Sequence, residues 1–178
     1  MFDKNIKISG MHSYYVEELK NQNFFNRYID VYVHAPLIGF QYGRSSSPDK
    51  TSEYANKDIN IFLEQVMSEA NNLEFIFRLI MLLDDSENLP IEERITRAFR
   101  DDALSYGDDD TLNDVGKRHE NNMELFNSYV LGGIEILYEK IIVQGATELD
   151  YIKNSFDFMK EYHLSMNLKS ADELLKDL

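Results

Sequence analysis

Residues 33–49, "VHAPLIGFQYGRSSSPD", decide the fold, because they set a proline, two glycines and an arginine into an apolar run that ends in a polar tail. Two periods compete just upstream. Ile29, Val31, Val33 and Ala35 alternate as a strand would, whereas Phe25, Tyr28, Ile29, Tyr32, Pro36 and Phe40 recur at helical spacing. Length arbitrates between them. The apolar and aromatic character persists from 24 to 43, well beyond a strand of about 5–6 residues. The stretch is therefore predicted to be a helix kinked one turn before Pro36, with a strand at 28–35 as the alternative. Gly39 and Gly43, four apart, share a helical face that a second backbone can approach, and Arg44 puts a cation near the C-terminal dipole. A packing device is the first reading of these residues and a binding patch the second.

Outward from this stretch, the chain breaks at short turn-rich segments: 44–52, "DDSENLP" (84–90), "SYGDDDT" (105–111) and "QGAT" (144–147). Between them, Ile59, Phe62, Leu63, Val66, Met67 and Ala70 fit one helical face, continued by Leu73, Phe77 and Ile80. A second stripe runs through Met123, Phe126, Val130, Ile134, Leu137, Tyr138 and Ile141, broken by Gly132 and Gly133, where a close helix crossing is expected. These two stripes are expected to pack together. Thr147 with Asp150 and Ser170 with Glu173 read as capping boxes, and Pro90 suits the first turn of a helix beginning at Ile91. "IKIS" (6–9) is the other extended signal, and a lone short strand makes no sheet. The expected fold is all-α: one compact domain over residues 1–178, a bundle of five to seven helices with at most a short N-terminal extended segment.

Composition limits the chemistry. The chain has no cysteine and four histidines, which removes disulfides, thiolate nucleophiles and Cys-based zinc sites. With 32 Asp plus Glu against 18 Lys plus Arg the formal net charge is -14, and such a field repels phosphate backbones. Direct nucleic-acid binding is therefore not expected. No apolar run reaches the ~18 residues of a spanning helix, and "MFDKNIKISG" lacks the apolar core of a signal peptide. No membrane association and a cytoplasmic location are expected.

Few motifs carry chemistry. His119-Glu120 lacks the second histidine of a zinc-protease helix, since position 123 is Met. Asp101, Asp102, Asp108, Asp109 and Asp110 supply hard oxygens without calcium-loop spacing, so a solvated acidic loop is the first reading and a Mg²⁺ or Ca²⁺ site the second. Arg94, Arg97 and Arg100 step by three, a guanidinium row for phosphates or a partner's carboxylates, with Glu92, Glu93, Asp101 and Asp102 nearby to neutralise it. No P-loop, G-x-S-x-G or dinucleotide fingerprint is present. No enzyme and no cofactor is expected on these grounds.

Read with its left flank, "FFNRYIDVYVHAPLIGFQYGRSSSPD" has an aromatic start, then Asp30, Ala35, the Gly39-Phe40 pair and a closing Arg44, and "FNSYVLGGIEILYEKI" (126–141) is a small-residue helix. Together they resemble the small helical accessory proteins of bacterial DNA-phosphorothioation (dnd-type) and phage-defence loci. Pro36 and the Ser-rich tail after the arginine depart from that pattern. The resemblance implies a non-enzymatic protein of a bacterial defence or mobile-element locus that works through a protein partner. Gly39, Phe40 and Arg44, joined by Tyr32 and Gly43, are the expected interaction patch, and Arg94, Arg97 and Arg100 the second candidate set. A homo-oligomer is compatible with this reading. Two rivals stand beside it: an acidic DNA mimic presenting 101–114 to a nucleic-acid enzyme, and a metal-dependent hydrolase built on Asp101–Asp110.

Overall fold

Helix wins over strand at the deciding stretch. Tyr28–Gln41 is an α-helix with Pro36 inside it, and the strand alternative at 28–35 falls away. The helix begins later than residue 24 because Arg27 is extended and its backbone N–H donates to Asp30 Oδ2 at 2.9 Å, the acidic half of a capping box. It stops at Gly43, whose φ of 61° suits glycine. There the Gly43 N–H donates to the Phe40 carbonyl and the Arg44 N–H to that of Gly39, a Schellman closure.

The computed structural model describes residues 1–49, 53–101 and 111–167. In chain order these hold β1 (Ile6–Ser9), α1 (Met11–Asn21), α2 (Tyr28–Gln41), β2 (Asp58–Ile61), α3 (Leu63–Ser68), α4 (Ala70–Leu83), α5 (Ile91–Phe99), α6 (Thr111–Tyr138), a π-helical turn at Glu139–Val143, and α7 (Glu148–Asn167). The fold is helical, with seven α-helices and one small sheet among the described residues. None of these helices is long and apolar enough to cross a membrane.

The sheet corrects one expectation. "DINI" at 58–61 is a strand, antiparallel to "IKIS", with Ile6 opposite Ile61 and Ile8 opposite Ile59. Ile59 therefore belongs to a period of two, and its alternate neighbour Ile61 is fully buried beside it. The helical face proposed across 59–70 is broken in consequence: Phe62, Leu63 and Met67 are exposed, while Val66 is buried.

The pairing of helices differs too. The glycine-bearing stripe of α6 packs chiefly on α2, and its contact with α4 is narrower. A Cβ on Gly133 would overlap the Ala35 carbonyl, and one on Gly39 the Tyr129 carbonyl, so the missing side chains bring the two backbones together. The α4 stripe reaches α6 through aromatic rings: Phe77 and Phe126 lie 5.7 Å apart, and Phe2 stands edge-on to both. Leu73, Phe77, Ile80, Phe126, Val130, Ile134 and Ile141 are all buried.

The capping box at 147–150 is present. The Thr147 N–H donates to Asp150 Oδ2 at 3.0 Å and the Asp150 N–H to Thr147 Oγ1 at 3.3 Å. α5 begins at Ile91 with Pro90 as the residue capping it. Ser170 with Glu173 lies outside the described residues.

Candidate functional site

The first candidate set lies at the α2–α6 crossing. Tyr32 and Gly39 are buried; Tyr32 donates its hydroxyl to Asn127 Oδ1 at 2.7 Å, and burial pushes that hydroxyl's pKa far up. Phe40 meets Tyr129 edge-on with ring centroids 5.5 Å apart. Gly43 is exposed at the helix end, and Arg44 reaches back to Glu139 Oε2 at 2.6 Å. Tyr32, Gly39 and Phe40 thus join α2 to α6 as the packing reading anticipates, whereas Gly43 lies past the end of α2, where an added Cβ would meet nothing within 4 Å. They do not present a common surface.

Beside Arg44 the crossing carries a partly buried polar clamp. Glu135 accepts from His12 Nε2 at 2.9 Å and from Ser46 Oγ at 2.6 Å, tying α6 to α1 and to the segment after α2. Burial alone would raise the Glu135 carboxyl, but the bonds from His12 and Ser46 outweigh it and hold it below the usual glutamate range. A carboxylate between two donors, with no histidine between serine and acid, lacks the order of a nucleophilic triad.

The arginine row does not act as a row. Arg94 Nε donates to the Leu89 carbonyl at 3.0 Å, and Arg97 turns inward to Asn122 Oδ1 at 3.1 Å. Arg100 caps the end of α5 on the exposed side. Asp101, by contrast, is buried with Arg118 Nε donating to its Oδ1 at 2.9 Å, so it offers no outward carboxylate. Asp102, Asp108, Asp109 and Asp110 lie outside the described residues. Among the described residues no group of three or more His, Asp or Glu is arranged to hold a metal ion.

What the spacing rules passed over is the outer face of α7. Tyr151, Ser155, Phe158 and Tyr162 face the body of the protein, and Asn154 donates to the Ile141 carbonyl at 3.1 Å. On the opposite side Leu149, Ile152, Phe156 and Met159 are 75%, 62%, 63% and 55% exposed. Their steps of three, four and three are those of coiled-coil a and d positions, so they form a straight apolar ridge. Met159 also lines a recess of about 570 Å³, together with Phe24, Phe25, Leu37 and Phe158. Ridge and recess make one continuous apolar surface. Along the helix Glu148, Lys153 and Lys160 lie beside it, whereas Asp150 closes the helix start on Thr147 and Glu161 turns to Lys140 and Tyr42 on the other side.

Comparison with known proteins returns no family model, no curated protein and no solved structure that matches this chain.

Proposed function

We propose that this is a non-enzymatic accessory protein of a bacterial defence or mobile-element locus, and that it acts by docking a partner protein along α7. The exposed ridge of Leu149, Ile152, Phe156 and Met159 carries the reading, since apolar faces of this kind mark interaction sites. The partner offers an amphipathic helix with matching apolar spacing, the helix-on-groove mode of recognition. Charge selects a basic partner. A formal net charge of -14 steers cationic proteins in while opposing a second copy of the chain.

A photo-crosslinking residue in place of Phe156 tests this in the native cell. The expected product joins the chain to one basic protein, and Ile152→Glu abolishes it without lowering the melting temperature, because the side chain is solvent-facing. Equal crosslinking from an exposed position on α5 would remove α7 from the interface. Dimers in sedimentation velocity that Phe156→Glu dissociates would assign the ridge to self-association instead.

A further inference from the structure

Between α5 and α6, beneath the 84–90 connection, lies a recess of about 390 Å³ lined in part by Glu87, Arg97, Asp101, Arg118 and Asn122. That volume is within the range of small-molecule sites. Three buried polar atoms on residues that line it have no hydrogen-bond partner: Arg97 Nη1, Asp101 Oδ2 and Asn122 Nδ2. Their side chains are firmly held. Asp101's is 1% exposed with Oδ1 taken by Arg118, and Arg97's is 11% exposed with Nε given to Asn122 Oδ1. Arg97 Nη1 stands 3.7 Å from Glu87 Oε2, beyond hydrogen-bond reach.

Buried polar groups are normally satisfied, and three unsatisfied ones sharing a cavity point to a ligand that completes them. The two free N–H groups require two acceptors, and the free carboxylate oxygen requires one N–H. A pyrimidine base carries that set on one edge: cytosine as an amino group, a ring nitrogen and a carbonyl, uracil as an imide N–H between two carbonyls. Guanine offers one acceptor and two donors on the corresponding edge, which satisfies Asp101 and one of the two N–H groups and leaves the other unpaired. The lining carries carboxylates on Glu87, Glu93 and Asp101 against guanidinium groups on Arg97 and Arg118, so added phosphate gains nothing there. We propose that this recess binds the free edge of a pyrimidine base in an uncharged nucleoside. The site is separate from the α7 ridge and does not depend on it.

Calorimetric titration of the full chain with cytidine, uridine, guanosine and the two pyrimidine 5′-monophosphates tests the assignment. One pyrimidine nucleoside is expected to bind at least about tenfold more tightly than guanosine, the ratio that one unmade buried hydrogen bond imposes, and no more weakly than its monophosphate. Asn122→Asp keeps the acceptor for Arg97 Nε while removing the free donor, and should weaken binding by about tenfold or more. Should that variant melt early, Asp101→Asn, which keeps an acceptor for Arg118 and turns the free oxygen into a donor, carries the same expectation. Absence of binding by both pyrimidine nucleosides, parity with guanosine, or unchanged affinity in a folded Asn122→Asp or Asp101→Asn would overturn the proposal and leave the recess to ordered water.

Discussion

Gly133 and Gly116 sit on the same helix and should respond to alanine in opposite directions. A Cβ at 133 would overlap the Ala35 carbonyl, and backbone cannot move aside as a flexible side chain does. Overpacking at such a point destabilises by about 3 kcal/mol. At 116 a Cβ meets nothing within 4 Å, so relief of the glycine penalty should stabilise by up to about 1 kcal/mol. Urea midpoints of Gly133→Ala and Gly116→Ala moving in the same direction would refute the close crossing. The Gly-Gly pair was legible in the sequence as a crossing because paired small residues interrupting an apolar stripe have few other uses. Its partner was not, since a glycine records only that something approaches and not which helix. The recess atoms were illegible for a related reason: Arg97 and Asn122 stand 25 residues apart, and no local pattern joins them.

Three elements meet at Glu135, and acid should separate them. A carboxyl held below its ordinary value contributes stability fully above the unfolded value of about 4.3, and that contribution is lost as pH falls through the lowered folded value. His12 and Ser46 supply the bonds, with Arg44 adding a weaker favourable field. Between pH 5 and pH 3 the wild type should therefore lose more stability than Glu135→Gln, whose neutral amide does not titrate; parallel curves of melting temperature against pH would refute the clamp. Elements also show where sequence reading stops. At "DINI" the residue Ile59 serves a period of two and a period of three or four equally, and only pairing with Ile8 decides between them. In α7 two apolar stripes compete, one through Tyr151, Ser155, Phe158 and Tyr162, the other through Leu149, Ile152, Phe156 and Met159. Both have helical spacing. The aromatic stripe is the one buried, against the π-helical turn and Tyr42, whose ring stacks on Phe158 at 6.3 Å.

For the molecule as a whole, alkali tests the packing of its aromatic side chains. Burial pushes Tyr129 up to about 12, helped by the Asp84 carboxylate its hydroxyl meets at 3.3 Å, and burial with Glu161 does the same for Tyr42. Burial drives Tyr32 and Tyr138 higher still. A hydroxyl whose folded value exceeds the unfolded 10 stabilises the native state below pH 10, and that stability is lost as pH rises through the folded value. Phenolate absorbance should rise in two waves, the later one coinciding with loss of helical circular dichroism; one wave near pH 10 with the helices intact would contradict the buried placements. The helical class was readable from end to end because apolar periodicity is written locally, whereas the order in which helices embrace is not. That order has a cost in time. Tyr32 and Asn127, which meet across the α2–α6 crossing, are 95 residues apart in the chain. Synthesis at roughly 5–20 residues per second leaves α2 waiting on the order of 5–20 s for its partner to emerge. Through that interval its apolar face is bare, open to chaperones and to other nascent chains, and the last third of the message determines when the first third becomes safe.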